Sequence, residues 1–192
     1  MKRRRALGTL IALGAAGGCG RVVPARKLEE GASGTFFPAT VPYVPTRPEV
    51  MEAMLSLAEI GSRDVVYDLG CGDGRLVIAA CKRFGARGLG VDMENDLIAR
   101  AQAEAQWEGV ADRAVFITAN LFDLDLKPAT VVMLYLSVEI NLRLRPRLLS
   151  QLPPGARIVS NRFDMGGVWM PERTIQAGDT PVHLWRIARR AA

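Results

Sequence analysis

Acidic residues and glycines are concentrated in one short stretch of the chain, Val65 to Gly74. It reads Val-Val-Tyr-Asp-Leu-Gly-Cys-Gly-Asp-Gly, so a strand-like run leads into a glycine turn, and a helical pattern follows. Glycine is needed where a backbone turns sharply and approaches a ligand, because a Cβ atom would collide there. Asp68 precedes the turn and Asp73 lies within it. Two carboxylates at this place suit a ligand with a cationic amino group and free ribose hydroxyls.

The glycine spacing separates two classes of cofactor. A dinucleotide fingerprint is G-x-G-x-x-G, and its pyrophosphate rests on the N-terminus of the following helix. Gly70 and Gly72 fit that fingerprint, but Arg75 occupies the next glycine position. The adjacent carboxylates would also repel a pyrophosphate. A tight structural turn is the alternative explanation of the glycines, and it leaves the acidic neighbours unexplained.

A third acidic residue, Asp92, ends the next predicted strand, Arg87 to Asp92. It follows the glycines by about twenty residues, where a ribose-binding carboxylate is expected in such folds. The alternative role is to cap the following helix, which Asn95 could also cap. The spacing therefore predicts that Asp92 accepts hydrogen bonds from a ribose.

Strands and helices alternate on both sides of this stretch. The apolar patterns predict a doubly wound α/β sheet of mostly parallel strands. Pro48 should begin a first helix that Gly61 ends, and Pro146 should interrupt the helix predicted over 137–152. The last two strands should form a hairpin across Gly178-Asp179. The predicted strands cover 65–69, 87–92, 114–118, 130–136, 157–161, 174–176 and 182–188.

The composition is that of one globular domain. The chain has 192 residues and a formal charge of +5, but the run Lys2 to Arg5 carries four of those positive charges. Because no basic patch with interleaved aromatic residues remains, a nucleic-acid partner is not expected. The cysteines at 19, 71 and 81 have neither disulfide nor zinc spacing, and no cluster of His, Asp and Glu predicts a metal site.

Residues 1–26 are predicted to be a signal peptide or a membrane leader. A basic start precedes an apolar run, 6–18, that is too short for a transmembrane helix. Residues 27–40 are predicted to be a linker and residues 41–192 the folded domain. The leader predicts a membrane-associated or exported protein, with a cytoplasmic catalytic domain as the alternative.

The pattern Asp-x-Gly-x-Gly-x-Gly at 68–74 resembles motif I of class I, seven-β-strand methyltransferases that use S-adenosylmethionine. Pro-Tyr-Val-Pro-Thr at 42–46, Gly-Val-Asp at 90–92 and Asn-Leu-Phe-Asp at 120–123 stand in the order found in one group of them. Over residues 41–188 the chain is similar to the ATP synthase c-subunit lysine methyltransferase family and its bacterial relatives. The resemblance implies a Rossmann-like seven-stranded sheet that ends in an antiparallel hairpin. It also implies S-adenosylmethionine as the cofactor and N-methylation of a protein lysine as the activity.

The resemblance further implies a role for each matching residue. Asp68 and the turn 70–74 would hold the methionine part of the cofactor, Asp92 would bind the ribose hydroxyls, and Met93 would pack on the adenine. Asn120 and Leu121 would contact the adenine, although many relatives have Asp at 120. Tyr43 and Thr46 would close over the methionine end. The implied cofactor-binding residues are Tyr43, Thr46, Asp68, Gly70, Cys71, Gly72, Asp73, Gly74, Asp92, Met93, Asn120 and Leu121.

No residue stands out in the sequence as a general base. A lysine acceptor must lose a proton before methyl transfer, from an ordinary pKa of about 10.4. The only histidine, His183, lies on the last predicted strand and is expected to be a packed or surface residue. Tyr135, at the end of the strand 130–136, and Glu139 are the candidates for lining an acceptor pocket.

Two other functions stay open. The methyl acceptor could be a small molecule or a lipid. The leader also raises the hypothesis of an exported, non-catalytic binding module that retains the fold, because S-adenosylmethionine is expected inside the cell. The segment Pro42 to Pro48 is predicted to be a lid over the cofactor, with a tether for the first helix as the alternative.

Overall fold

The computed structural model describes residues 43–188, so the predicted leader, 1–26, and the predicted linker, 27–40, lie outside the described residues. Helices and strands alternate along the described chain. The helices are α1 (Pro48–Leu57), α2 (Arg75–Phe84), α3 (Asn95–Trp107) and α4 (Val138–Gln151), with a short 3-10 helix at Leu121–Asp123. The strands are β1 (Val65–Leu69), β2 (Arg87–Asp92), β3 (Ala114–Thr118), β4 (Val131–Leu134), β5 (Arg157–Asn161), β6 (Arg173–Ala177) and β7 (Thr180–Arg186).

One seven-stranded sheet has the order β3-β2-β1-β4-β5-β7-β6. Strands β1 to β5 run parallel, and β7 is antiparallel to both β5 and β6. After β3 the chain crosses to the other side of β1, so β1 and β4 flank the point where the strand order reverses. Open α/β sheets bind ligands at that point, outside the carboxyl ends of the strands. The predicted fold, with its closing hairpin, is confirmed.

The central strands are buried on both faces. In β1, Val66 packs in a cluster with α1 and α2, whereas Tyr67 and Leu69 pack in a second cluster with α4. All four residues of β4 are buried, as expected for a parallel strand covered by helices on both sides. Burial on both faces fixes the strand ends, and the loops at the carboxyl edge are fixed with them.

Two elements differ from the sequence prediction. Strand β4 ends at Leu134, so Tyr135 lies in the loop after the strand and not within it. Helix α4 runs through Pro146 without interruption. Pro146 is exposed, whereas Leu144 and Leu148 are fully buried against the sheet. Packing of that buried face holds the helix together although proline lacks a backbone N–H.

Three findings concern the described part of the chain. Among residues 43–188, no helix is both long and apolar enough to cross a membrane. Cys71 and Cys81 are buried free thiols. No group of three or more His, Cys, Asp and Glu side chains in this range could hold a metal ion.

Candidate active site

A cleft of about 680 Å³ opens at the carboxyl ends of β1, β2 and β4, at the switch point of the sheet. Cavities of this size hold drug-sized ligands and cofactors. Most of the predicted site residues line it. Those residues are Tyr43, Thr46, Asp68, Gly70, Cys71, Gly72, Asp73, Asp92, Met93, Leu121 and Tyr135.

The glycine turn is held against β2 by backbone hydrogen bonds. The N–H groups of Gly70 and Cys71 both donate to the carbonyl of Val91, at 2.8 and 2.9 Å. Gly72 has a φ of +54°, and a Cβ atom there would lie 2.4 Å from the ring of Tyr43. Glycine is therefore required at 72 by both backbone conformation and space, and the space is taken by the Tyr43 ring.

The Asp92 carboxylate connects the glycine turn to the end of β2. Its Oδ2 accepts a hydrogen bond from the Gly72 N–H at 2.9 Å, and its Oδ1 accepts one from the Glu94 N–H at 3.1 Å. A carboxylate has about four lone-pair sites, so about two stay available for ribose hydroxyls in the cleft. Asn95 does not cap α3, since its Oδ1 accepts a hydrogen bond from Thr118.

Asp68 is a buried carboxyl group that faces the cleft without a partner. Its side chain is 4 % exposed, and none of the residues 43–188 donates a hydrogen bond to it. Burial, and to a smaller extent the nearby Asp92 and Asp73 carboxylates, together raise its pKa to about 8. A cationic amino group would supply the missing opposite charge. The carboxylate of Asp68, as a hydrogen-bond acceptor, therefore fits the amino group at the methionine end of S-adenosylmethionine.

Asp73 is committed to a contact within the protein. The Arg75 Nε donates to its Oδ1 at 2.9 Å, and another Arg75 nitrogen, Nη1, donates to the Thr46 carbonyl at 2.9 Å. Burial raises the pKa of Asp73, but hydrogen bonds from Arg75 and Tyr43 outweigh burial and lower it. Arg75 therefore ties residues 43–46, here called the strap, to the glycine turn.

Four predicted residues have other surroundings than expected. A Cβ atom at Gly74 would lie 2.5 Å from the Phe116 ring, so Gly74 faces the core and not the cleft. Asn120 caps the 3-10 helix by accepting a hydrogen bond from the Phe122 N–H, and it does not line the cleft. Glu139 is exposed on the first turn of α4, outside the cleft lining, and its role in an acceptor pocket stays a prediction. The Cys71 thiol lies in the α2–α3 core cluster, although Cys71 also lines the cleft.

Tyr135 joins the cleft to a second cavity. This second cavity measures about 190 Å³ and shares four lining residues with the cleft. Tyr135 stacks on Phe163 with ring centroids 6.3 Å apart, and Phe163 lines the cleft beside Arg162. No local sequence pattern indicates a site at positions 162 and 163. The shared lining residues are Val44, Pro45, Tyr135 and Arg162.

Comparison with known families and proteins gives a consistent result. The family model described as "ANTKMT methyltransferase domain" matches residues 68–173. A protein-lysine N-methyltransferase of Saccharolobus islandicus is 41% identical over 140 residues, which is 72% of this chain and 86% of that protein. The mouse adenine nucleotide translocase lysine N-methyltransferase is 30% identical over 96% of this chain and 81% of its own length.

A solved structure from Salinibacter ruber is also similar. It is described as an RNA methyltransferase in complex with S-adenosyl-L-homocysteine. The two chains are 45% identical, with a TM-score of 0.74, and the match covers 78% of this chain and 97% of that one. The product form of the cofactor is therefore bound by a protein with this fold.

Proposed function

Because the chain belongs to the ANTKMT methyltransferase family, and is thus an S-adenosylmethionine-dependent methyltransferase, we propose that it methylates the ε-amino group of lysine in a protein. The observation that carries the choice of acceptor is the 41% identity, over most of both chains, to a protein-lysine N-methyltransferase. The site agrees with this proposal, because a long, thin side chain could reach the cleft through the second cavity while the rest of the protein acceptor stays outside.

The residues on the β1–β2 side would hold the cofactor. Asp68 would pair with the amino group of its methionine part, and Asp92 would bind the ribose hydroxyls while it keeps the turn in place. The glycines at 70 and 72 let the backbone approach the ligand. Met93 and Leu121 line the cleft beyond Asp92, where an adenine would lie. When bound, S-adenosylmethionine supplies an electrophilic methyl group on a sulfonium sulfur.

The chain's contribution to the reaction is positioning. The amine nitrogen must be uncharged, because its lone pair forms the new N–C bond while the carbon–sulfur bond breaks and leaves its electron pair on sulfur. Neither cavity is lined by a histidine, and His183 instead contacts Thr174 and the Arg162 carbonyl. Fixing two partners in line can by itself contribute several orders of magnitude in rate.

RNA is a second candidate acceptor, because the Salinibacter ruber protein is described as an RNA methyltransferase. The net charge of the described residues argues against RNA as the acceptor. Residues 43–188 contain 16 Lys and Arg and 18 Asp and Glu, which leaves a net charge of −2. Binding of nucleic acid depends on lysine and arginine contacts to phosphates. A small molecule or a lipid stays the other alternative, and the buried acidic site argues against a non-catalytic binding module.

The acceptor class can be tested with the full chain and methyl-labelled S-adenosylmethionine. The probes are horse cytochrome c and hen lysozyme as lysine-bearing proteins, total transfer RNA, and phosphatidylethanolamine vesicles. We expect label on the proteins, and mass spectrometry of digested protein should place it on lysine. Label confined to the RNA or to the vesicles would contradict the proposal.

We also propose that residues 1–26 associate the protein with a membrane while the catalytic domain stays on the cytoplasmic side. Support comes from the apolar run 6–18, which is too short to span a membrane and would leave the domain on the same, cytoplasmic side as the basic run 2–5, and from the intracellular supply of the cofactor. The test is fractionation of cells that make the full chain or residues 27–192. The full chain should sediment with membranes and the truncated chain should not. Protection of the full chain from protease in intact spheroplasts would agree, and cleavage there would contradict a cytoplasmic domain.

A further inference from the structure

Asn161 is a buried side chain with an unused hydrogen-bond acceptor at the second cavity. It ends β5, is 3 % exposed and lines this cavity. Its Oδ1 has no hydrogen-bond partner among residues 43–188. A buried amide oxygen without a partner is costly, and most such atoms in proteins are satisfied. A donor that arrives with a ligand would satisfy this one.

The next residue, Arg162, has a strained backbone at the boundary of the two cavities. Its φ is +67°, a conformation uncommon for a residue other than glycine. The turn is held by hydrogen bonds on both sides. The Arg162 N–H donates to the Pro181 carbonyl at 2.8 Å, and the Phe163 carbonyl accepts from Ser160 Oγ at 2.6 Å and from Asn141 Nδ2 at 3.1 Å. Strain maintained by surrounding contacts is common at functional sites.

The two arginines that line the second cavity differ in whether an acidic residue pairs with them. Arg47 contacts both Asp179 and Glu49, so its charge is compensated. The Arg162 guanidinium makes no hydrogen bond and no ion pair with any residue in the range 43–188. The His183 ring lies behind it, with Nε2 3.3 Å from the Arg162 carbonyl. The ionisable side chains that line the cavity are Arg47, Tyr135, Arg162 and Asp179.

We propose that the second cavity receives the acceptor amine, with Asn161 Oδ1 accepting its hydrogen bond and the Arg162 guanidinium favouring its uncharged form. This inference rests on the proposed function, because it names the residues that would handle a lysine. A neutral amide oxygen accepts a hydrogen bond from an amine and leaves the nitrogen lone pair free. An adjacent cation disfavours an ammonium and lowers the pKa of the amine. The proton leaves to solvent before the N–C bond forms, which removes the need for a general base.

The experiment measures binding of n-butylamine, the free equivalent of a lysine side chain, to the full chain loaded with S-adenosylhomocysteine. Binding is followed by NMR at pH 7 and pH 9.5, with n-butanol as a ligand control. We expect wild-type affinity, expressed per total amine, to rise by roughly two orders of magnitude at the higher pH, because with an amine pKa of about 10.4 the uncharged fraction grows about 300-fold between pH 7 and pH 9.5. Asn161→Leu should weaken binding at pH 9.5 about tenfold.

Two further variants distinguish charge from packing. Arg162→Gln should reduce the preference for high pH, and Asn161→Asp should reverse it, since a carboxylate favours the ammonium. In turnover, both should move the rising limb of the kcat–pH profile to a pH about 1 higher. Arg173→Gln and Gln176→Leu change an exposed arginine and an exposed amide on β6, outside both cavities, and should behave as wild type. If Asn161→Leu fails to fold, Asn161→Asp tests the role of Asn161 in its place.

Each outcome of these measurements either supports or overturns the inference. Equal affinity for n-butylamine at both pH values, or unchanged binding in Asn161→Leu and Asn161→Asp, would overturn the inference and leave a water molecule as the partner of Asn161. Loss confined to the Asn161 and Arg162 variants would support it. The proposed function would be contradicted separately, if no methyl-lysine formed on any protein probe. The two tests are independent because binding of n-butylamine is measured without turnover.

Discussion

The β1–β2 side of the cleft and its β4–β5 side are built from residues that are differently distributed along the chain. On the first side, Asp68, the glycine turn and Asp92 lie within 25 residues of one another and contact each other through backbone groups. On the second side, the strap 43–46, Tyr135 and Asn161 come from three distant segments. A compact local motif thus forms the proposed cofactor side, whereas loops that tertiary packing brings together form the proposed acceptor side.

The electrostatics of the two sides also differ in sign. The β1–β2 side presents a buried carboxyl group, Asp68, without a cationic partner. The β4–β5 side presents a guanidinium, Arg162, without an anionic partner among residues 43–188. The first arrangement favours an amino group that stays charged, and the second favours an amine that is neutral. One cleft could thus bind two amines in opposite protonation states.

A large effect on the β1–β2 side is expected for Asp68→Asn. Losing the carboxylate opposite a cationic amino group should weaken S-adenosylhomocysteine binding about tenfold at pH 9, measured by calorimetry. Because the pKa of Asp68 is about 8 without the cofactor, wild-type affinity should fall from pH 9 to pH 6 and the affinity of the variant should not. Asp112→Asn, an exposed carboxylate paired with Arg113, is the control. Equal affinities of wild type and Asp68→Asn at pH 9 would exclude the pairing.

The same variant makes a prediction about stability. The folded-state pKa of Asp68 lies above its ordinary value of 3.8, so the unfolded chain binds fewer protons between about pH 4 and pH 8. The stability that the protonated carboxyl preserves is present below pH 4 and is lost as pH rises through 8. Asp68→Asn without cofactor should therefore tolerate more urea than wild type at pH 9, with a smaller difference at pH 4. A variant that is less stable than wild type at pH 9 would contradict the buried, unpaired state of Asp68.

Arg75→Met tests the connection between the two sides. It breaks the contacts of Arg75 with Asp73 and with the Thr46 carbonyl, so the strap loses its attachment to the glycine turn. We expect S-adenosylhomocysteine affinity to fall about fivefold, because binding must then order the strap. Arg83→Met on the same helix breaks an exposed ion pair with Glu52 and should leave affinity unchanged. Equal effects of the two variants would mean that the strap contributes nothing to binding.

The smallest effect is expected for Thr46→Val, which keeps the carbonyl that Arg75 binds and removes only the hydroxyl. Thr46 is buried and lines the cleft. If the strap is a lid, cofactor affinity or turnover should drop about threefold, the value of one modest hydrogen bond, with little change in melting temperature. A lower melting temperature with unchanged affinity would favour the tether hypothesis for this segment.

The sequence was informative where the chemistry is local. Asp68, Gly70, Gly72 and Asp92 could be predicted as one site because their spacing follows from a strand, a turn and a helix in succession. Gly74 shows the limit of that logic. Its place in the same motif predicts a ligand contact, but the residue it must avoid is Phe116 of β3, which no local pattern indicates.

Prediction failed where distant packing decides. Helix α4 continues through Pro146 because buried leucines hold it. Asn161 and Arg162 have no sequence signal of their own, since an unpaired oxygen and a strained turn exist only after β5, β7 and α4 have packed. The strap was noticed for its prolines, whereas its contact with Gly72 was not foreseen.

The division of the cleft into a cofactor side and an acceptor side is tested most directly by one calorimetric titration of S-adenosylhomocysteine into three proteins. Wild type, Asp92→Ala and Asn161→Leu are compared at the same pH. Asp92→Ala removes a carboxylate expected to accept two hydrogen bonds from the ribose and should weaken binding about 100-fold or more. Asn161→Leu should bind within about twofold of wild type, since Asn161 lines only the second cavity. Unchanged affinity in Asp92→Ala, or an equal loss in Asn161→Leu, would contradict the division.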